Sequence, residues 1–296
     1  MAYLKKVLIT GASGLLGRKL ARALSEEYRV IPTHSTHPVN PDSMRMDIVD
    51  GSEVVGVLSE VRPELILHAA AETNVDKCET NRELAWSVNA EGTRNIASAC
   101  GKIGAKLVYV STDYVFDGEK GHYSEEDKAN PVNYYGVTKL EGERFVRELC
   151  GDYVIVRTSV LYGWHPNRLN FATWVIDSLK SGMRISVAED HYNSPTLADN
   201  LAEAILKIVE ADATGLYHIA GSERISRYDF AMKTAEVFGL DRSLVTPVKM
   251  EDLKIWVAKR PRDSSLSMYK ARHELKAGLL DVHEGLRQMR VLASNE

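Results

Sequence analysis

The chain has 296 residues, 44% of them hydrophobic and 26% charged, enough apolar material for one large domain or a domain with a smaller lobe. Its 37 basic and 41 acidic residues leave a formal net charge of −4, with the lysines and arginines scattered. That excludes the basic footprint of a nucleic-acid binder or an anionic-membrane binder and points to a small-molecule partner.

Cys78, Cys100 and Cys150 are odd in number and far apart. They have neither the density of a disulfide scaffold nor metal-site spacing, so they read as reduced thiols in a cytoplasm. The opening "MAYLKKVLITGASG" meets a glycine turn before a signal peptide's apolar segment would be complete, and no apolar stretch is long enough to cross a bilayer. The histidines form no HxxxH or HxH cluster, and the adjacent Glu189 and Asp190 read as solvated loop carboxylates; no metal site is predicted.

Short β-rich runs then alternate with amphipathic segments. Strands are expected at Lys6 to Thr10, Tyr28 to Thr33, Glu64 to Ala70, Lys106 to Thr112 and Tyr153 to Ser159, with a weaker one at Met44 to Ile48. Helices are expected at Leu15 to Glu26, Ser52 to Glu60, Asn81 to Lys102 and Tyr134 to Cys150. This alternation implies an α/β fold with a Rossmann-type, doubly wound parallel sheet, whose ligands bind beyond the carboxyl ends of the strands. After the loop "LYGWHPNRLN" come helices near Asn170 to Lys180, Asp199 to Glu210 and Ser226 to Phe238, and a strand at Gly215 to Ala220. The remainder has little regular pattern. The expected division is a dinucleotide-binding domain over residues 1–160, rejoined by chain at about 196–220, and a smaller C-terminal substrate lobe over 161–296.

"TGASGLLG" places Gly11, Gly14 and Gly17 between the first strand and first helix. Glycine allows the tight turn and close backbone approach that let the free N–H groups of a helix start hold a pyrophosphate, with Ser13, Leu15 and Leu16 supplying neighbouring backbone. An acidic residue at the end of the second strand would bond a ribose 2′-hydroxyl and repel a 2′-phosphate. The segment here is "IPTHSTHP", with no Asp or Glu before Asp42. NADPH is therefore expected over NADH, with Thr33, His34 and Ser35 as phosphate contacts; His34 and His37 could equally be plain loop residues. Asp47 and Ile48 end the weak third strand, where the carboxylate is either an adenine contact or a helix cap.

In "NYYGVTKLEGE" a spacing of four puts Tyr135 and Lys139 on one helix face. An ammonium beside a phenol favours the phenolate and should lower its pKa. YxxxK alone would suit a wet surface pair; its place after the strand ending "VSTD" and downstream of the glycine turn points instead to an acid and its helper, with the Thr112 hydroxyl completing a group that polarises a carbonyl.

These residues resemble the extended short-chain dehydrogenase/reductases over nearly the whole chain. "TGASGLLG" is similar to that family's TGxxGxxG, "HAAA" (His68 to Ala71) to its strand-four motif, Asn89 to its helix asparagine, and Thr112, Tyr135 and Lys139 to its catalytic trio. "STDYVFDG", "NYYGVTKLEGE", "DHYNSPT" and "RPRDSSL" resemble more narrowly the dTDP-4-dehydrorhamnose reductase branch. The resemblance implies NADPH-dependent reduction at carbon 4 of a nucleotide-linked 4-keto-6-deoxy sugar, with Tyr135 donating the proton, Lys139 on the nicotinamide ribose and Thr112 holding the carbonyl oxygen. It further implies cofactor contacts at Ala69, Ala70, Ala71 and Asn89, substrate contacts at Thr112, Asp113, Tyr114, Val115, Phe116 and Arg260, and often a homodimer. Aromatic packing is the competing reading of Tyr114 to Phe116, and a surface arginine that of Arg260. Where the branch commonly has "RTSWVYG" this chain has "RTSVLYG", so Val160 replaces a large aromatic expected near the sugar. The regulatory β-subunit of methionine adenosyltransferase resembles the same branch and is the rival reading, as is an epimerase or dehydratase that recycles bound nicotinamide.

Overall fold

The computed structural model describes residues 4–36 and 38–293; His37 lies outside the described residues. Strands β1 (Lys6–Thr10), β2 (Arg29–His34), β3 (Met44–Arg45), β4 (Leu65–His68), β5 (Lys106–Thr112) and β6 (Tyr153–Thr158) join a returning strand, Gly215–His218, in one sheet. Its order is returning strand, β6, β5, β4, β1, β2, β3, and every pairing is parallel. The strand order reverses at β1, which lies between β2 and β4, so the crevice for a ligand opens at the carboxyl ends of β1 and β4.

Alternation along the strands builds two cores. Val7, Ile9, Leu67, Val108, Val154 and Val156 face one side of the sheet, packed with Leu20, Leu24, Leu201 and Ile205. Leu8, Ile66, Leu107 and Ile155 face the other, packed with Leu58, Ile96 and Val146. Helix α1 (Leu15–Leu24) covers the first face and α2 (Gly51–Val61) the second.

The long helix expected over Asn81 to Lys102 is divided. Asn74 caps α3 (Val75–Thr80) by accepting the Lys77 N–H, and Asn81 caps α4 (Arg82–Ala85) by accepting the Leu84 N–H. A π-helical stretch, Trp86–Glu91, then leads into α5 (Gly92–Ile103). Asn89, within that wide turn, lies in the interior. Asn133 accepts the Gly136 N–H to cap α6 (Tyr134–Leu149), which carries Tyr135 and Lys139 in its first turns.

Beyond β6, α7 (Phe171–Lys180) builds the second unit, while α8 (Ala198–Glu210) packs back beside α1 and leads into the returning strand. α9 (Arg227–Phe238) packs on α7. The segment that showed little pattern contains α10 (Tyr269–Glu274) and α11 (Val282–Leu292). A reciprocal cap between Asp281 and Glu284 starts α11, and its Val282, Leu286 and Met289 are buried against Tyr162 and Phe230. The weak third strand is shorter than expected: Met44 and Arg45 pair with Thr33 and His34, and the Met46 N–H makes a last bond to the His34 carbonyl at 2.8 Å.

Candidate active site

At the crevice Gly11 has φ +68°, a region that only glycine enters freely, and a Cβ there would lie 2.7 Å from the Ala70 nitrogen. Gly17 is equally constrained, since a Cβ would collide with the Gly11 carbonyl. Gly14 closes the turn with its N–H on the Gly11 carbonyl at 2.9 Å and is the N-cap of α1, which has no side-chain cap and no acid in its first turn. The leading N–H groups of α1 are thereby left for an anion.

These groups open into a cavity of ≈ 570 Å³. Gly11, Ser13, Gly14, Leu15, Leu16 and Gly17 form its floor, and Ala69, Ala70 and Ala71 line the side below β4. At the β2 end stand Thr33, His34 and Ser35, with Asp47 and Ile48 beside them. The Thr33 hydroxyl donates to the Ile9 carbonyl at 3.1 Å, so it serves the sheet first. His34 Nδ1 is buried without a hydrogen-bond partner among the described residues. Asp47 accepts the Val49 N–H at 3.0 Å, and it is Asp50 that caps α2; the helix-cap reading of Asp47 is thus corrected.

At the far end Thr112, Tyr135 and Lys139 line the same cavity. The Lys139 ammonium donates to the Val110 carbonyl at 2.8 Å and lies 4.1 Å over the Tyr109 ring. Burial pulls its pKa down to about 7, and the carboxylate of Glu143 opposes that fall. The Tyr135 phenol moves the other way. Burial raises its pKa; the Thr112 hydroxyl opposes this, and the charges of Asp113, Cys78 and Tyr114 add to it. The expectation of a lowered Tyr135 pKa is therefore corrected: desolvation raises it, and Tyr135 is a protonated phenol at neutral pH.

Asp113 and Tyr114 also line the cavity. Asp113 accepts from Ser159 Oγ at 2.8 Å, Ser264 Oγ at 2.5 Å and Thr112 Oγ1 at 3.1 Å, so its oxygens brace the strand end. Burial raises its pKa despite those bonds.

Four expected contacts do not line the cavity. Asn89 is fully buried; its side chain accepts the Glu72 N–H at 2.8 Å and donates to the Glu72 carbonyl and the Thr138 hydroxyl, which spends its bonding capacity on tying α6 to the loop after β4. Val115 and Phe116 are buried in the core, Phe116 stacked on Tyr123, as the packing alternative had it. Arg260 forms a two-pronged pair with Asp76, at 3.1 and 2.8 Å, so its charge is already matched. Conversely, Arg227, at the start of α9, lines the cavity and was not anticipated. Val160 lines it too, at φ +44°, an outlier for a β-branched residue.

Fold and cavity together define the class: an extended short-chain dehydrogenase/reductase. Within it the chain belongs to the RmlD substrate binding domain family, whose model matches residues 5–292. The chain is 35% identical to the probable low-salt glycan biosynthesis reductase Agl14 of Haloferax volcanii, over 90% of this chain and 91% of that one. It superposes on the dTDP-4-dehydrorhamnose reductase of Bacillus anthracis in complex with NADP with a TM-score of 0.88 and 37% identity, covering 98% of this chain and 99% of the other. Methionine adenosyltransferase 2 subunit beta of Bos taurus is 33% identical, over 88% of this chain and 80% of its own.

Proposed function

We propose that the protein is an NADPH-dependent reductase of the 4-keto group of a nucleotide-linked 6-deoxy sugar, like the dTDP-4-dehydrorhamnose reductases it resembles. The observation that carries this reading is the meeting of the glycine turn with Thr112, Tyr135 and Lys139 in one cavity. The residues suit NADPH: uncapped N–H groups for the pyrophosphate, a turn with no room for a Cβ at Gly17, and an unpartnered His34 Nδ1 with Ser35 where a 2′-phosphate would lie. NADH is the alternative cofactor.

When bound, NADPH supplies the hydride. Tyr135, kept protonated by burial, donates its proton to the ketone oxygen. Thr112 orients that oxygen by turning its hydroxyl from Asp113 to the ketone, and Lys139, when charged, stabilises the phenolate left on Tyr135. We assign residues 1–160 with the return at 196–220 to cofactor binding, and the remainder of 161–296 to the substrate.

The bovine relative supports a second reading, a regulatory subunit without turnover. A screen of NADPH oxidation with dTDP-, UDP- and GDP-linked 4-keto sugars, run beside a pull-down against a methionine adenosyltransferase, separates them. Turnover with any of these sugars supports the reductase; capture of the transferase with no oxidation supports the regulator. Stoichiometric NAD retained through purification would instead indicate an epimerase or dehydratase.

A further inference from the structure

Arg227 carries a charge that the known chemistry of the site does not use. It begins α9 and reaches from the smaller unit into the cavity that holds Thr112, Tyr135 and Lys139. Its Nε donates to Asn193 Oδ1 at 2.8 Å, and the guanidinium lies 4.9 Å from the centre of the Phe171 ring and against the Tyr114 phenol. Among the described residues no carboxylate forms an ion pair with it. The charge of Asp113 acts on it through space without an ion pair, and the hydrogen-bonded link to Asp113 runs through neutral groups: Asn193 Nδ2 donates to Ser264 Oγ at 2.9 Å, and Ser264 donates to Asp113 at 2.5 Å.

Asp113, the carboxylate that acts on Arg227, is itself held by three hydroxyls. Arg260, the other guanidinium near Tyr114, is matched by Asp76. His191, whose carbonyl accepts the Arg227 backbone N–H at 2.9 Å, is buried with no hydrogen-bond partner at either ring nitrogen among the described residues. A half-buried, unmatched guanidinium costs stability unless a ligand matches it. Its planar fork suits two oxygens of one anionic group. Val160, also lining the cavity, leaves space where a larger side chain would not.

We infer that Arg227 is the substrate-selecting residue of this site: its guanidinium takes an anionic oxygen group of the substrate, either a phosphate of the nucleotide or a carboxylate on the sugar, while the ketone lies at Tyr135. The inference rests on the reductase reading for the ketone but not for the anion, so binding tests it apart from turnover. The experiment is calorimetric titration of wild type, Arg227→Gln and Arg227→Lys with dTDP, with UDP-glucose and with UDP-glucuronate, each in the presence of saturating NADPH, followed by KM and kcat on whichever 4-keto sugar nucleotide is turned over.

We expect Arg227→Gln to weaken the anionic ligand on the order of tenfold or more, to raise KM rather than lower kcat, and to leave the NADPH dissociation constant unchanged. Arg227→Lys should recover part of the loss. Equal losses for dTDP, UDP-glucose and UDP-glucuronate identify the nucleotide phosphate; a loss confined to UDP-glucuronate identifies the sugar carboxylate. Unchanged affinity for all three ligands in Arg227→Gln, or no binding of any of them to wild type, overturns the inference. Binding that depends on Arg227 without NADPH oxidation would keep it and reject the reductase reading. Should Arg227→Gln not fold, by its far-ultraviolet dichroism, the lysine variant carries the same comparison with a smaller expected loss.

Discussion

Lys139 is a largely buried amine, and its pKa of about 7 in the fold against 10.5 in the open chain has a definite consequence for stability. Below pH 7 both states bind the proton and the desolvation penalty is complete. As pH rises from about 7 toward 10.5 the unfolded chain stays protonated while the folded one does not, so the penalty is relieved. The shift amounts to about 5 kcal/mol, and removing the side chain also loses the bond to the Val110 carbonyl. Lys139→Met should therefore be more stable than wild type by about 2 kcal/mol at pH 6, with the order reversing by pH 10, where roughly 4 kcal/mol of the penalty has been relieved. Urea unfolding at both pH values checks this, and a gap that widened with pH would refute the assigned shift. For the intact protein, kcat/KM should fall as pH rises through 7, because the charge that steadies the Tyr135 phenolate is lost. The pairing of Tyr135 with Lys139 was legible from their spacing together with their place after the glycine turn and "VSTD"; the direction of the Tyr135 shift was not, because a spacing carries no information about burial.

The turn between β1 and α1 works through absent side chains, and the glycines differ in how strictly they are required. Gly17→Ala drives a Cβ into the Gly11 carbonyl, whereas at Gly14 the nearest atom, the same oxygen, would be 3.2 Å away. Gly17→Ala should lower NADPH affinity by at least tenfold and cost about 1–3 kcal/mol of stability, while Gly14→Ala should change both by much less. Fluorescence titration with NADPH and thermal melts of the two variants test the ordering, and equal effects would contradict it. His68 shows why the "HAAA" stretch begins as it does. Thr93 donates to the Asn89 carbonyl at 2.7 Å, so it accepts from His68 Nε2 at 3.1 Å, leaving Nδ1 to accept from Thr10 Oγ1 at 2.7 Å. Burial, with Lys139 nearby, depresses the His68 pKa to about 3 and keeps the ring neutral in that role. The strands of the sheet and the glycine turn ahead of α1 were readable from local pattern. The division of the helix after Asn81 was not, because a π-helical turn leaves no mark on a 3.6-residue period. α11 did carry a signal, the D-x-x-E of "DVHE", which was passed over.

Several elements are joined by one buried ion pair. Arg157 on β6 donates to both oxygens of Glu143 on α6, at 2.8 and 2.7 Å, and Ser111 on β5 adds a bond at 2.7 Å. Burial would raise the Glu143 pKa, but Arg157 and Ser111 overcome it, and the carboxylate sits one helical turn beyond Lys139, supporting its charge. Arg157→Met leaves Glu143 buried without its main partner and should cost about 3–5 kcal/mol. The double variant Glu143→Leu/Arg157→Met should cost much less in a urea titration, and a double variant as unstable as the single one would reject the pair as the source of the loss. Such long-range matches escape sequence reading: the paired Arg260 looked available for ligand, and Arg227 drew no notice, because whether a guanidinium is matched depends on partners that only folding brings near. The alternation of strands and helices showed the sheet; it could not show which charges the completed molecule leaves over.

The central claim, proton donation by Tyr135, is tested most directly by single-turnover oxidation of NADPH with a 4-keto sugar nucleotide at pH 6.5, followed by absorbance in wild type and Tyr135→Phe. We predict a loss in rate of roughly 10²–10⁴-fold with the NADPH dissociation constant unchanged. A Tyr135→Phe variant that oxidised NADPH at the wild-type rate would show that the proton comes from elsewhere.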